Sequence, residues 1–224
     1  MIRELENLYT QINSKGKIAI RSGAEKIDPT LQDIRNDGRR GLSLLINIPD
    51  SITEAIQMIQ NEIHRIEPDQ YFYPKDDLHL TVLTFISAVE NFWIGEDSIE
   101  RYRQLIQKAI KGIRPFSIKY QGIILSEAAI MMKGYYEREL QSLRDKLRIN
   151  AAKADIILKE RYQSISAHST IVRFQKNLQN KNRLLAIIEE YQNYYFGTVN
   201  VAELDLVVHD WYNSKKEMNI KINM

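Results

Sequence analysis

The chain has 224 residues, with 31 Lys and Arg against 29 Asp and Glu, a net charge of +2 and no cysteine. It is long enough to bury a sizeable core. Its charge lacks the basic excess of a protein that tracks duplex nucleic acid, and the missing thiols exclude disulfides, cysteine nucleophiles and Cys-ligated metals. Residues 1–10 alternate charged and apolar positions, unlike a signal peptide, and no stretch has the roughly 18 uncharged apolar residues of a membrane span, so a cytoplasmic, membrane-free monomer is expected.

Helical spacing at Ile2, Leu5, Leu8, Tyr9 and Ile12 predicts a helix over 2–13, followed by an aperiodic covering segment through 40. Residues 41–48 suit a buried strand closed by Pro49, and Ser51 with Glu54 reads as a capping box for a helix carrying Ile52, Ile56, Ile59 and Ile63 on one face. Strands are predicted at 70–73 and 78–86, then a helix over 98–111 ended by Gly112 and Pro115. Two antiparallel strands follow at 116–125 and 129–134, and an amphipathic helix spans 135–154. The last third reads as strand 164–174, helix 182–195, strand 199–211 and a closing strand at 218–222. This order predicts an α+β architecture: a segment 1–40, then one two-lobed body over 41–224 with helices outside antiparallel sheets.

Four histidines stand at 64, 79, 168 and 209, and two share their surroundings. His79-Leu-Thr-Val-Leu-Thr-Phe85 and His168-Ser-Thr-Ile-Val-Arg-Phe174 both read His-x-Thr-(Val/Ile)-(Leu/Val)-x-Phe, each at the start of a predicted strand and one in each half of the chain. Side chains two apart on a strand share a face, so each motif sets an imidazole beside a hydroxyl. By the same parity Arg173 falls on the face opposite His168. His64, between charged neighbours on a helix, reads as solvated.

These segments resemble the 2H phosphoesterases, a family named for two His-x-(Thr/Ser) motifs that includes 2′-5′ RNA ligase-like proteins and cyclic phosphodiesterases. The matching residues are His79, Thr81, His168 and Thr170, and the Tyr71-x-Tyr-Pro-x-x-x-Leu-His79 approach is also similar, whereas residues 1–40 fall outside the resemblance. It implies two lobes, each an antiparallel sheet flanked by helices, with both motifs facing a central cleft.

The residue types support the same chemistry. Opening a 2′,3′-cyclic phosphate needs a base to take a proton from water and an acid to protonate the departing ribose oxygen; two histidines supply both. The Thr81 and Thr170 hydroxyls can donate to the non-bridging oxygens as charge builds there. The expected substrate is a nucleotide or short RNA end, with no metal or cofactor, and the acid and base roles stay unassigned. Tyr73 and His209 are candidate substrate contacts, each set against plain packing. Zinc held by the histidines with Asp77, His209 or Asp210 lacks ligand spacing. Arg39 and Arg40 read as solvated, and Tyr191, Tyr194, Tyr195 and Phe196 as helix core and helix end. Two rivals use the same cleft: RNA 2′-5′ ligation, and binding of a nucleotide or RNA end without turnover. Segments 1–40 and 91–97 are where specificity is expected.

Overall fold

The computed structural model describes residues 2–160 and 163–224, and within them two antiparallel sheets stand side by side with helices on their outer faces. The first sheet runs β3 (His79–Val89), β1 (Arg40–Asn47), β8 (Glu203–His209), β9 (Lys216–Asn223). The second runs β2 (Tyr71–Phe72), β6 (Ser169–Arg173), β5 (Ala129–Tyr136), β4 (Phe116–Leu125), β7 (Tyr195–Val201). Five α-helices accompany them among the described residues: α1 (Ile2–Ser22), α2 (Asp50–Ile66), α3 (Glu96–Ile110), α4 (Arg138–Lys153) and α5 (Lys181–Glu190). The α+β architecture matches the expectation.

Apolar strands buried on both faces drive the sheets: β5 is buried at all eight positions and β1 at six in a row. Leu42, Leu44, Leu204 and Leu206 are fully buried in the first, Ile118, Tyr120, Ile130 and Ile171 in the second, and each such apolar side chain contributes about 1.5–3 kcal/mol by leaving water. In α2 the expected stripe of Ile52, Ile56, Ile59 and Ile63 is buried.

Several boundaries differ from the sequence reading. The first helix continues to Ser22 through Gly16, because that glycine lets the helix backbone press on β4: a Cβ there would lie 2.6 Å from the Leu125 carbonyl oxygen. Helix α2 begins at Asp50 without a side-chain cap, since the Ile52 amide already bonds the Pro49 carbonyl (2.9 Å), which places Ser51 inside the first turn. The predicted strand 199–211 is two strands in different sheets. Exposed Ala202 carries the chain from β7 to β8, and a crossing of one residue leaves no break in the apolar pattern. Helix α5 stops at Glu190, so Tyr195 and Phe196 open β7 rather than close a helix.

Candidate active site

Both His-x-Thr segments face one cleft between the sheets, walled by His79, Thr81 and Thr84 from β3 and by His168, Thr170 and Arg173 at β6. Tyr73, His209 and Trp211 complete its walls. The enclosed volume is about 140 Å³.

Each motif contains a β-bulge at the same place. On β3 the register passes from Leu44 opposite Leu83 to Leu45 opposite Thr81, leaving Val82 as the extra residue. On β6 it passes from Ile130 opposite Val172 to Met131 opposite Thr170, leaving Ile171 extra. Both extra residues stand three after the histidine. A bulge inserts one residue and reverses the parity beyond it, so Thr84 and Arg173, five after each histidine, return to the cleft face. The parity argument that set Arg173 on the opposite face therefore fails.

The bulge carbonyls are buried acceptors, and each finds a polar side chain from a helix. Fully buried Arg144 of α4 donates from Nε to the Val82 carbonyl (2.8 Å) and from Nη2 to the carbonyls of Thr81 (3.0 Å) and Ser166 (2.7 Å). One guanidinium thus ties the first motif to the residue two before His168. In the second lobe, buried Gln60 of α2 donates from Nε2 to the carbonyls of Ile171 (2.8 Å) and Tyr73 (2.9 Å). No sequence pattern singled out either residue, because an Arg or Gln in an amphipathic helix looks like a surface residue.

Further supports come from far along the chain. The Tyr9 hydroxyl of α1 donates to the Gly134 carbonyl (2.8 Å) and accepts from the Ala167 amide (3.1 Å), next to His168. Gly134 itself is required there, since a Cβ would sit 2.0 Å from the Ala167 carbonyl oxygen.

Both catalytic candidates are oriented through Nδ1 by the residue two before them. His79 Nδ1 donates to the Asp77 carbonyl (2.7 Å), which also accepts from buried Asn213 (3.2 Å). His168 Nδ1 pairs with the Ser166 hydroxyl (2.7 Å). Nε2 of each ring is left for the cleft. His209 bonds the Asp210 carbonyl through Nδ1 (2.6 Å), its ring centroid lies 6.3 Å from that of His79, and its Nε2 is buried without a hydrogen-bond partner.

Electrostatics separate these rings. Burial, then the positive neighbours His79, Arg144 and Arg173, pull the His168 pKa down to about 4. Burial and His79 bring His209 to about 4 as well. His79 is also lowered, mainly by burial, but the Asp77 carbonyl opposes the shift by stabilising its charged form. The guanidinium of Arg173 is held charged against burial by Tyr73, whose hydroxyl its Nε reaches at 3.4 Å, and by Asp28 and Tyr212. Without an anion, the cleft concentrates groups that repel each other's protons. A bound phosphate offsets that repulsion and favours protonation of a histidine.

Other expectations resolve as follows. Tyr73 is buried and lines the cleft, and His209 also lies in its wall. His64 is exposed on α2, against Phe72. Arg39 and Arg40 are not free surface cations: they pair with Asp37 (2.7 Å) and Glu217 (2.5 Å). The 91–97 segment does not line the cleft, and Trp93 within it is 84% exposed. Among the described residues, no group of three His, Asp or Glu is arranged to hold a metal ion, and no helix is long and apolar enough to cross a membrane.

Comparison with known proteins matches residues 41–218 to the family model described as the AKAP7 2′,5′ RNA ligase-like domain. Similar solved structures include TT0787 of Thermus thermophilus, at 16% identity and a TM-score of 0.58, covering 83% of this chain and 94% of that one. E. coli LigT complexed with 3′-AMP is likewise 16% identical, with a TM-score of 0.56 over 83% of this chain and 98% of its own. A third, described as a phosphoesterase, is 15% identical with a TM-score of 0.53, covering 83% and 99%. At these identities the structures establish the fold. No curated protein sequence matches the chain.

Proposed function

Because the chain belongs to the AKAP7 2′,5′ RNA ligase-like domain family, within the 2H phosphoesterase superfamily, we propose that it hydrolyses a 2′,3′-cyclic phosphate or a 2′-5′ phosphodiester in a nucleotide or short RNA end. The observation that carries this reading is the pair of Nδ1-anchored imidazoles, His79 and His168, on equivalently bulged strands facing one cleft. The nucleotide 3′-AMP in the LigT complex supports a nucleotide substrate.

The different surroundings of the two rings suggest their roles in opening a cyclic phosphate. His168, surrounded by cations and pulled toward about 4, is neutral near pH 7 and takes the proton from water. His79, whose Nδ1–H is held by a carbonyl that favours the charged form, gives its proton to the departing ribose oxygen. Water's oxygen bonds to phosphorus as the phosphorus–ribose oxygen bond breaks. Thr81, Thr170 and Arg173 face the non-bridging oxygens, where charge must be held as the transition state forms. Tyr73 and His209 contact the rest of the substrate.

The test is turnover of the four 2′,3′-cyclic nucleotides and a 2′-5′ dinucleotide by the purified protein in EDTA. Product formation that is lost in His79→Ala and His168→Ala is expected. Undiminished turnover by either variant overturns the assignment, and tight nucleotide binding without product supports a binding module instead.

A further inference from the structure

The 91–97 segment takes no part in the cleft, yet it borders a separate groove of about 660 Å³. Val208 of β8 with Met218 and Ile220 of β9 form the apolar floor, and Trp93 stands at its margin. Val208 lines this groove, whereas the next residue, His209, lines the cleft. Successive side chains on a strand point to opposite faces, so the groove lies across the first sheet from the cleft. On its other side Trp93 borders a smaller hollow of about 240 Å³ with Ile156 and Ile157, and Ile157 is 80% exposed. Bulky apolar groups gathered in water in this way mark a contact surface.

The rim of the groove is acidic. Helix α3 begins at Glu96, so Glu96 and Asp97 occupy its first turn, where the helix dipole favours carboxylates, and Glu100 follows one turn on. With Glu217 of β9 these give the groove four carboxylates, and among the described residues lining it there is no Lys, Arg or His. Glu217 pairs with Arg40 (2.5 Å) and Glu100 with Arg103 (3.5 Å), whereas Glu96 and Asp97 are exposed. Such a rim repels phosphates and anionic lipid headgroups and attracts Lys and Arg. The chain as a whole carries +2, so this acidic face is a local feature.

We propose that this groove docks a basic amphipathic segment of a partner protein. The bulky apolar side chains of that segment seat on Trp93, Met218 and Ile220, and its Lys or Arg side chains meet Glu96, Asp97 and Glu100. Apolar anchors flanked by charge are the usual way a helix is held in a groove. Covering an indole that is 84% exposed supplies most of the affinity, because large aromatic side chains dominate protein contacts. The carboxylates select the partner and speed its arrival. This surface is separate from the cleft and is open whatever substrate the cleft takes.

The experiment titrates the full chain into a fluorescein-labelled peptide of about 14 residues, built from Leu and Lys at helical spacing, and follows anisotropy. Saturable binding that weakens as salt rises is expected, and a twin peptide with Glu in place of every Lys is expected not to bind. Trp93→Ala should weaken binding about ten-fold, and the double variant Glu96→Lys, Asp97→Lys by a similar factor. All three positions are exposed, and thermal unfolding of each variant confirms that it is folded. Absence of saturable binding, equal binding of the Glu twin, or an affinity unmoved in either variant overturns the assignment. Self-association of the chain in sedimentation that Trp93→Ala abolishes also overturns it, by making a second copy the occupant.

Discussion

The two halves of the cleft are built on one plan and finished differently. Each offers a histidine, a threonine two residues on, a bulge at the third position and a fifth residue turned back to the cleft. In each, the histidine's Nδ1 is held by the residue two before it, and a helix side chain satisfies the bulge carbonyl. The differences lie in the partners. His79 is held by a backbone carbonyl and His168 by a serine hydroxyl; the fifth residue is Thr84 in one half and Arg173 in the other; the buried helix side chain is a charged Arg144 or a neutral Gln60. A repeated backbone therefore places two similar groups, and unrepeated neighbours give the two histidines different electrostatic surroundings.

The largest expected effect tests what the halves share. His79→Ala and His168→Ala should each lower kcat/KM for a 2′,3′-cyclic nucleotide by about 10²–10⁴, the usual contribution of a positioned general acid or base. Loss in one variant alone would show that the symmetry is structural only.

Next in size is the contrast between helix side chains. Arg144→Met leaves the Thr81, Val82 and Ser166 carbonyls without their guanidinium, at about 1–3 kcal/mol for each buried group left unpaired. Gln60→Leu removes one donor from two carbonyls, and the Ile171 carbonyl keeps the Tyr73 amide (3.1 Å). Thermal unfolding should show the greater loss of Tm in Arg144→Met, and the reverse order would break the comparison. Arg144→Met should also lower kcat, since that residue ties the two motifs together.

Arg173→Gln should reduce kcat/KM by roughly ten- to hundred-fold, as expected for loss of a charged partner to the phosphate, whereas Thr84→Val should cost much less. Steady-state assays on one cyclic nucleotide check both.

The smallest effects concern pH. His168 must be neutral to act as base, so kcat/KM should persist as pH drops below the ordinary histidine value near 6.5 and fall only as it passes through about 4. Loss of activity already centred at 6.5 would contradict the electrostatic distinction between the rings. In Arg173→Gln one of the cations lowering His168 is gone, and the acid limb should move upward. Stability has the same sign. The unfolded chain protonates these histidines near 6.5 whereas folded His168 and His209 resist until about 4, so Tm should decline as pH falls through that window. Melting curves of the unaltered protein and His209→Gln should show a flatter decline in the variant.

The motifs were legible because a strand has a period of two and each histidine stands at the start of one, His79 as the first residue of β3 and His168 just before β6, so His79 with Thr81 and His168 with Thr170 could be placed together from spacing alone. Arg173 was misplaced for the same reason: one extra residue at Ile171 reverses the period without changing the composition. Arg144, Gln60 and Tyr9 were not legible, since each bonds a carbonyl far along the chain: Val82 lies 62 residues from Arg144, Ile171 111 from Gln60 and Gly134 125 from Tyr9. The crossing from β7 to β8 was hidden by an unbroken apolar pattern.

By itself, the sequence determined most of the strands, the amphipathic helices and the duplicated His-x-Thr pairs, because these follow from local apolar patterning and side-chain chemistry. Only the tertiary structure decided that both pairs face one cleft and that Arg173 and His209 join them. Those outcomes depend on bulge positions and on buried polar groups finding partners across the fold, and a hydrogen bond's free energy is set by where its partner arrives in space.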